Sequence, residues 1–407
     1  MVEDSLAARG ARPILRDVAN EDTRKVVWVL GAGFSAALGG PMLAQLLSYP
    51  SASDIRIRYG KADFPQLHDD AAFFVRGLYQ RGTTNDVAQL PNGDTIEGER
   101  MWSNAEEFLD YIDTAADARP DEAPNYLAAR LNEIMTGQYW SVKQPATPKE
   151  LRAAARRLIA AECCAFLEGV NPLREQWEPF REWERKLGAN DTVITFNYDL
   201  VVEMLIEVHD AYPTGFGPKP GSPVKVIRPG QKDDMRDARS TGRCPLLKLH
   251  GSVDWRVIGK ITPRVEVMSD RPPFALRCAA SELAIATPGP SKSEAATSFQ
   301  DLWIYAHEAL TQADVVVFVG YRFPETDAYA RAQLLGAIRE NHDNRKDRSG
   351  LSLHVVLGGH REHTERLGAL LRHVCRPTSR NQLRSARVDE HPLFAQDFLS
   401  VSDRDDL

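Results

Sequence analysis

Four short motifs in the 407-residue chain combine residue types that serve ligand binding and catalysis. The first is Gly-Ala-Gly-Phe-Ser at 31–35, directly after an apolar run. Glycines at such a place let the backbone approach a pyrophosphate, and the start of a following helix offers N–H groups to an anion. The motif lacks the third glycine of the full dinucleotide fingerprint, so a plain turn between strand and helix is the alternative.

The second and third motifs supply a candidate catalytic pair, Asn197 and His250. Thr-Phe-Asn-Tyr-Asp occupies 195–199, and Lys-Leu-His-Gly occupies 248–251. In an open α/β sheet the carboxyl ends of the strands face the ligand crevice, which places Asn197 and Asp199 beside a substrate. A histidine there titrates near neutral pH and can act as a general base. The alternatives are an Asx turn that caps the next helix and a His-Gly pair without function, since the chain has ten histidines.

The fourth motif is Val-Gly-Tyr-Arg-Phe-Pro-Glu-Thr-Asp at 319–327, again after an apolar run. Gly320 would permit close backbone approach to a ribose. The alternative is another turn between a strand and a helix.

Positioning these motifs requires a parallel sheet, and the sequence predicts one. Apolar, mostly β-branched runs are typical of strands buried on both faces. They occur at 26–30, 192–196, 246–249, 314–320 and 353–358. Helical patterns flank them, so the predicted fold class is α/β: a Rossmann-like parallel sheet with helices on both faces and a large inserted helical subdomain.

The predicted domain boundaries follow from the spacing of these runs. About 140 residues separate the first two strands, which is too long for one crossover connection. Helices are predicted there from Asn104 onward and over 147–169. The proline- and glycine-rich stretch 211–244 is expected to be mostly irregular, and 256–298 to form a short hairpin and a loop. The predicted division is an N-terminal arm at 1–23, a Rossmann domain at 24–47 and 186–375, a helical insertion at 48–185 and a C-terminal tail at 376–407.

Composition favours a soluble enzyme over a duplex-binding protein, a zinc protein, a membrane protein or a secreted protein. The net charge of −7 argues against a duplex-binding surface that covers the whole molecule. No two of the five cysteines have the C-x-x-C spacing of a structural zinc site, so no metal is expected. Glycines and a proline interrupt the apolar stretch 26–47, and residues 1–22 lack the apolar core of a signal peptide. We therefore expect a cytoplasmic protein.

Taken together and in this order, the four motifs resemble those of the sirtuin-like family, in particular its prokaryotic branch found in antiphage defence. Residues 31–35 match the family's G-A-G-x-S, 195–199 its T-x-N-x-D loop, and 250–251 its catalytic H-G. Residues 320–327 resemble its late G-Y-S-x-x-x-x-D element, although Arg322 stands where serine is usual. The likeness runs from about residue 26 to about residue 358.

Two features of deacylating sirtuins are missing. The chain has no four-cysteine zinc module, and Met-Leu-Ala follows Pro41 where an acidic-aromatic-arginine triplet is usual. The defence branch lacks both features too, and its members are similar to NAD hydrolases that stay inactive until infection. The resemblance therefore implies an NAD+ glycohydrolase with NAD as its substrate. The alternatives are a regulatory module that binds NAD or ADP-ribose without catalysis, and a sirtuin-type deacylase or ADP-ribosyltransferase.

Cleavage of the nicotinamide bond passes through an oxocarbenium-like transition state, which suggests roles for the candidate residues. Asn197 would hold the water or a ribose hydroxyl, and His250 would be the general base. By resemblance, Asp199 would bind the nicotinamide carboxamide. The pyrophosphate would be held by Gly31, Ala32, Gly33 and Ser35. The adenosine side would be lined by Gly320 and Tyr321.

The expected partners follow from the resemblance alone. Proteins of this size and branch are similar to partners of HerA-like ATPases, so a homo-oligomer or a HerA-like ATPase partner is expected. Neither a membrane nor sequence-specific nucleic-acid binding is expected.

Overall fold

The structure is a computed structural model, and its central feature is a parallel β-sheet. It describes residues 24–42, 45–47, 75, 79, 87–89, 95–97, 102, 104–117, 148–211, 221–259, 264–267, 278–279, 282–286, 299–324, 327–345, 350–377, 386–402 and 407. The strands described there are β1 (Val26–Leu30), β2 (Val87–Gln89), β3 (Thr95–Glu97), β4 (Thr192–Thr195), β5 (Val224–Val226), β6 (Cys244–Lys248), β7 (Gly251–Ile258), β8 (Arg264–Val267), β9 (Leu283–Ile285), β10 (Val315–Val319), β11 (Ser352–Val356) and β12 (Arg387–His391).

Helices surround this sheet. The α-helices described are α1 (Ala32–Ser35), α2 (Ala105–Asp117), α3 (Pro148–Ala165), α4 (Glu178–Lys186), α5 (Val201–Ala211), α6 (Lys232–Thr241), α7 (Gln300–Gln312), α8 (Ala328–Asn344), α9 (Arg361–Val374) and α10 (Ala395–Val401). Short 3-10 turns follow α1 at Ala36–Leu38 and precede α4 at Glu175–Trp177.

Seven strands form one sheet in the order β12-β11-β10-β1-β4-β6-β5, and every neighbouring pair is parallel. The central strand β1 is fully apolar and buried, as expected for a strand covered on both faces. The chain continues from β1 to β4 on one side and returns to β10 on the other. The order of the sheet therefore reverses at β1, and in such folds the crevice outside the carboxyl ends at this point holds the ligand.

Alternate side chains of β1 enter two separate hydrophobic layers. Trp28 packs on one face, where its ring lies 5.7 Å from that of Trp183 in α4. Val27 and Val29 pack on the other face with side chains of α7, α8 and α9. A strand with both faces covered needs this two-sided burial. The predicted Rossmann-like α/β fold, with helices on both faces of a parallel sheet, is confirmed.

The insertion between β1 and β4 contains the packed helices α2 and α3 and the small hairpin of β2 and β3. Asn104 caps α2 as predicted, since its Oδ1 accepts the N–H of Glu107 at 3.1 Å. Helix α4, which lies inside the predicted insertion 48–185, instead packs on β1 through Trp183. It therefore belongs with the sheet. The predicted arm at 1–23 and most of the insertion before α3 lie outside the described residues.

The prediction that 376–407 is a C-terminal tail outside the Rossmann domain is wrong for 387–401. Strand β12 pairs with β11 and extends the sheet, and α10 buries Phe398 completely in the layer beside α4. The polar sequence of β12 is that of an edge strand, which the search for wholly apolar runs does not detect. The Rossmann domain therefore extends beyond residue 375 to include these elements.

Two further connections hold more regular structure than predicted. The stretch 211–244 contains β5 and α6, and the region after His250 forms a three-stranded antiparallel sheet of β8, β7 and β9. Among the helices described, none has the length and apolar character needed to cross a membrane.

Candidate functional site

A cleft opens at the carboxyl ends of β1, β4, β6 and β10. Its position is the crevice where the strand order reverses. The residues that line it are Gly31, Ala32, Pro41, Met42, Leu46, Leu109, Ile159, Cys163, Phe196, Asn197, Tyr198, Asp199, His250, Gly320, Tyr321, Arg322, Pro324 and Asp327.

The glycines after β1 and β10 allow two turns to touch. A Cβ on Gly31 would lie 2.6 Å from the carbonyl oxygen of Gly320, and a Cβ on Gly33 would lie 2.6 Å from its Cα. Gly320 itself has a φ of +69°. The N–H groups of Gly31 and Gly33 donate to Val319 and Gly320. These glycines are therefore needed for the close contact between the two turns. Of the first turn, Gly31 and Ala32 line the cleft.

Asn197, Ser35 and Asp199 form a chain of hydrogen bonds at the base of the cleft. The Nδ2 of Asn197 donates to the carbonyl of Gly31 and to the Oγ of Ser35, each at 3.0 Å. Ser35 in turn donates to Asp199 at 2.7 Å. Because both amide hydrogens have protein acceptors, the Oδ1 of Asn197 is the atom of this side chain that suits a ligand donor. Ser35, predicted to contact pyrophosphate, instead links the two other side chains and does not line the cleft.

Asp199 has a structural role in a turn and also lines the cleft. Its second oxygen accepts the N–H of Val201 at 3.1 Å, which is the Asx turn named above as an alternative, and the residue also lines the cleft. Burial raises the pKa of the Asp199 carboxyl, although the nearby charge of Lys248 opposes this shift. The predicted contact with a carboxamide remains compatible with this geometry, because each carboxylate oxygen can accept more than one hydrogen bond.

Lys248 and Glu203 form a buried ion pair behind the cleft, and no sequence motif predicted it. The Nζ of Lys248 lies 2.7 Å from Glu203 and 2.5 Å from the carbonyl of Asp199, with Lys248 only 1% exposed. A lysine inside an otherwise apolar strand is the available signal, because a buried ammonium requires a buried partner.

His250 lies in a group of aromatic and acidic side chains from three strand ends. Its Nε2 is 3.2 Å from Oδ2 of Asp327, and its ring meets the edge of Phe196 at 4.8 Å between centroids. The ring of Tyr321 stacks on Phe196 at 4.1 Å, and its hydroxyl donates to the same Asp327 oxygen at 3.1 Å. The sequence motif included Asp327, but no role was predicted for it.

The apolar part of the cleft lining comes largely from the insertion and the loop after α1. Its members are Met42, Leu46, Leu109, Ile159 and Cys163. Helix α3 is held in place by Arg156, which donates to the carbonyls of Leu283 and Ile285, and by Glu162, which accepts the N–H of Leu47. Burial, reinforced by the negative charge of Asp199, raises the pKa of Cys163, which favours the neutral thiol over the nucleophilic thiolate.

Seven of the nine predicted site residues therefore line one cleft, including both members of the catalytic pair, and Gly33 and Ser35 lie directly behind it. In the part of the chain that is described, no three His, Cys, Asp or Glu side chains are grouped as a metal site. No protein-family model matches the chain, and no curated protein is significantly similar to it. The resemblance to sirtuins accordingly rests on the motif residues themselves.

Proposed function

We propose that this protein hydrolyses NAD+ at the nicotinamide glycosidic bond and releases nicotinamide and ADP-ribose. The observation that carries the proposal is that Asn197 and His250, about fifty residues apart, line one cleft together with Gly31 and Gly320 at the reversal point of a parallel sheet. That point is where open α/β sheets bind nucleotides.

In the proposed reaction, the bond between the ribose carbon and the nicotinamide nitrogen breaks, and its electron pair leaves with neutral nicotinamide. Positive charge develops on the ribose as it does in other glycoside cleavages. A water oxygen forms the new bond to the ribose carbon, and its proton is lost. The products are nicotinamide, ADP-ribose and one proton.

Asn197 and His250 have complementary parts in this scheme. The Oδ1 of Asn197 accepts a hydrogen bond from the water or from a ribose hydroxyl, while its Nδ2 stays bonded to Gly31 and Ser35. These two bonds fix the amide plane, which is what a positioning role requires. His250 takes the proton as general base.

The two walls of the cleft suit a dinucleotide in which only one end reacts. The apolar wall of Leu109, Ile159 and Cys163 would exclude bulk water near the catalytic pair, which strengthens electrostatic interactions there. Arg322, which also lines the cleft, supplies a positive charge for the anionic part of the substrate.

The test is chromatography of NAD incubated with purified protein and with the variants Asn197→Ala and His250→Ala. We expect each variant to lower nicotinamide release at least 100-fold, on the order of a lost positioning or base contribution. Matched controls are Asn344→Ala, which alters an exposed residue on α8, and His307→Ala, which alters a partly exposed residue on α7. Wild-type turnover in either cleft variant contradicts the role assigned to that residue.

The same samples separate catalysis from binding alone. Intact NAD under all activating conditions, together with calorimetric binding, would support the alternative of an NAD-sensing module. Release of acyl groups from acylated peptides, followed by mass spectrometry, would support a deacylase.

We further propose that the cellular role is depletion of NAD in antiphage defence, under control of self-assembly or of a HerA-like ATPase. Uncontrolled NAD loss is lethal, so the isolated protein is expected to rest in an inactive state. Light scattering of the protein with and without the ATPase, paired with measurement of cellular NAD after infection, tests this role.

A further inference from the structure

Asp327 occupies a position at which its side chain would ordinarily serve helix α8. It is the residue directly before the helix, the N-cap, where aspartate is favoured because its oxygen accepts a backbone N–H of the first turn. Here the side chain makes no such cap bond. It is 2% exposed and points instead to His250 and Tyr321.

The contacts of Asp327 complete a closed ring of four side chains. Asp327 contacts His250 and Tyr321, Tyr321 stacks on Phe196, and Phe196 meets the edge of His250. Three strand ends contribute to the ring, namely those of β4, β6 and β10. Asp327 is the acidic member, and its Oδ2 lies 3.2 Å from the imidazole Nε2.

We infer that Asp327 is a positioning residue for His250: it holds the imidazole in place and stabilises the positive charge that the ring gains on taking a proton. The catalytic part of this inference rests on the proposed function. A carboxylate beside a histidine favours the imidazolium and fixes the ring plane, which makes the histidine a stronger base in a defined direction. The ion pair itself is a property of the protein with or without substrate.

Other charged and titratable groups also face this part of the cleft, so their effects on His250 must be distinguished from the effect of Asp327. Tyr198 and Arg322 line the cleft, the buried Cys163 lies on α3, and Lys248 is directed towards Glu203 and the carbonyl of Asp199. Asp327 differs from these groups because it is an acid within ion-pair distance of the His250 ring.

The decisive variant is Asp327→Asn, which keeps the shape of the side chain and an oxygen for the Tyr321 hydroxyl but removes the charge. We expect kcat for nicotinamide release to fall about 10- to 100-fold with KM for NAD changed less than about twofold. The carboxylate favours protonated His250, so its loss lets the base form persist to lower pH. The acidic limb of the rate profile should therefore move to lower pH by about one unit.

Two control variants separate this role from general stabilisation. Tyr321→Phe removes the hydroxyl donor and retains the acid, so the acidic limb should stay in place. Asp314→Asn removes an acid paired with Arg345 at the opposite end of β10, at 2.6 Å, and should leave both rate and profile unchanged. A lower rate in Asp327→Asn with an unmoved acidic limb would mean a structural role only, and the inference would be wrong.

A second measurement tests the ion pair without using activity. The ring of His250 is titrated by nuclear magnetic resonance in histidine-labelled protein, with the signal assigned from His250→Gln. We expect its midpoint to be lower in Asp327→Asn than in wild type. If wild type never cleaves NAD but this difference is present, the proposed function fails and the ion pair stands; if the midpoints agree, the inference on Asp327 fails.

Discussion

Lys248 shows how a charge in the core supports the site above it. Its ammonium binds Glu203 and the carbonyl of Asp199, which begins the loop into α5. Removal of one partner of such a buried pair leaves an uncompensated charge, which costs about 3–5 kcal/mol of the free energy of unfolding. We expect this loss for Lys248→Met in urea denaturation, with part of it recovered in Lys248→Met combined with Glu203→Gln.

The matched control for that pair is Lys225, which lies 3.2 Å from Asp237 on the surface. An exposed ion pair of this kind contributes about 0–1 kcal/mol, so Lys225→Met should change stability little. Equal losses in the two lysine variants would mean that burial does not set the energy of the Lys248 pair.

Asp254 makes the stability of the protein depend on pH in a direction opposite to that of a paired carboxylate. Burial, reinforced by the negative charge of Glu203, raises the pKa of Asp254 to about 6. A folded pKa above the unfolded value gives stability that is present below about pH 4 and is lost as the pH rises to about 6. Asp254→Asn should therefore raise the free energy of unfolding by about 3 kcal/mol at pH 7.5 and change it little at pH 4. Denaturation curves at the two pH values measure this difference, and a gain of the same size at pH 4 would contradict the assignment.

At the scale of elements, the backbone conformation at position 251 and the close approach of β9 explain why a glycine follows His250. Gly251 starts β7 with a φ of +81°, and a Cβ there would lie 1.8 Å from the carbonyl oxygen of Ala284 in β9. The adjacent N–H of Ala286 donates to the carbonyl of His250 at 2.8 Å. Close approach of β9 therefore fixes the backbone that carries the catalytic candidate.

Gly251→Ala should consequently lower stability by at least about 2 kcal/mol and reduce activity as β9 moves away. Gly336→Ala is the matched control, because that glycine lies within helix α8 and a Cβ added there would meet open space. This second change should raise stability by about 0.4–1 kcal/mol. Thermal denaturation of both variants tests the pair, and equal midpoints would contradict the steric argument.

The elements that the sequence predicted share one property, which is a side-chain pattern set by local burial. Strands β1, β4, β6 and β10 are mostly apolar because both faces are covered, so their ends, and with them Asn197 and His250, could be placed in advance. The contact between Asp327 and His250 joins residues 77 positions apart and depends on how two loops meet, which no local pattern encodes. The apolar wall from Leu109 and Ile159 likewise depends on where the inserted helices dock.

At the scale of the whole molecule, the C-terminal segment provides the clearest contrast between pattern and structure. Its polar sequence predicts a C-terminal tail outside the Rossmann domain, whereas β12 covers the edge of β11 and α10 covers the layer beside Trp183. Deletion of 379–407 should therefore expose a strand edge and apolar side chains, and yield aggregated protein.

The point variant Phe398→Ala tests the same contact without exposing the strand edge. Phe398 is fully buried, so its truncation should cost about 3–5 kcal/mol through lost burial and the cavity left behind. Val401, on the same helix, is 72% exposed, and Val401→Ala should change stability by less than about 0.5 kcal/mol. Because α10 packs against α4, which in turn supports Phe34 beside the first turn of the cleft, we expect loss of Phe398 also to weaken NAD binding in calorimetry. Wild-type stability in Phe398→Ala would mean that the segment is the tail its composition suggests.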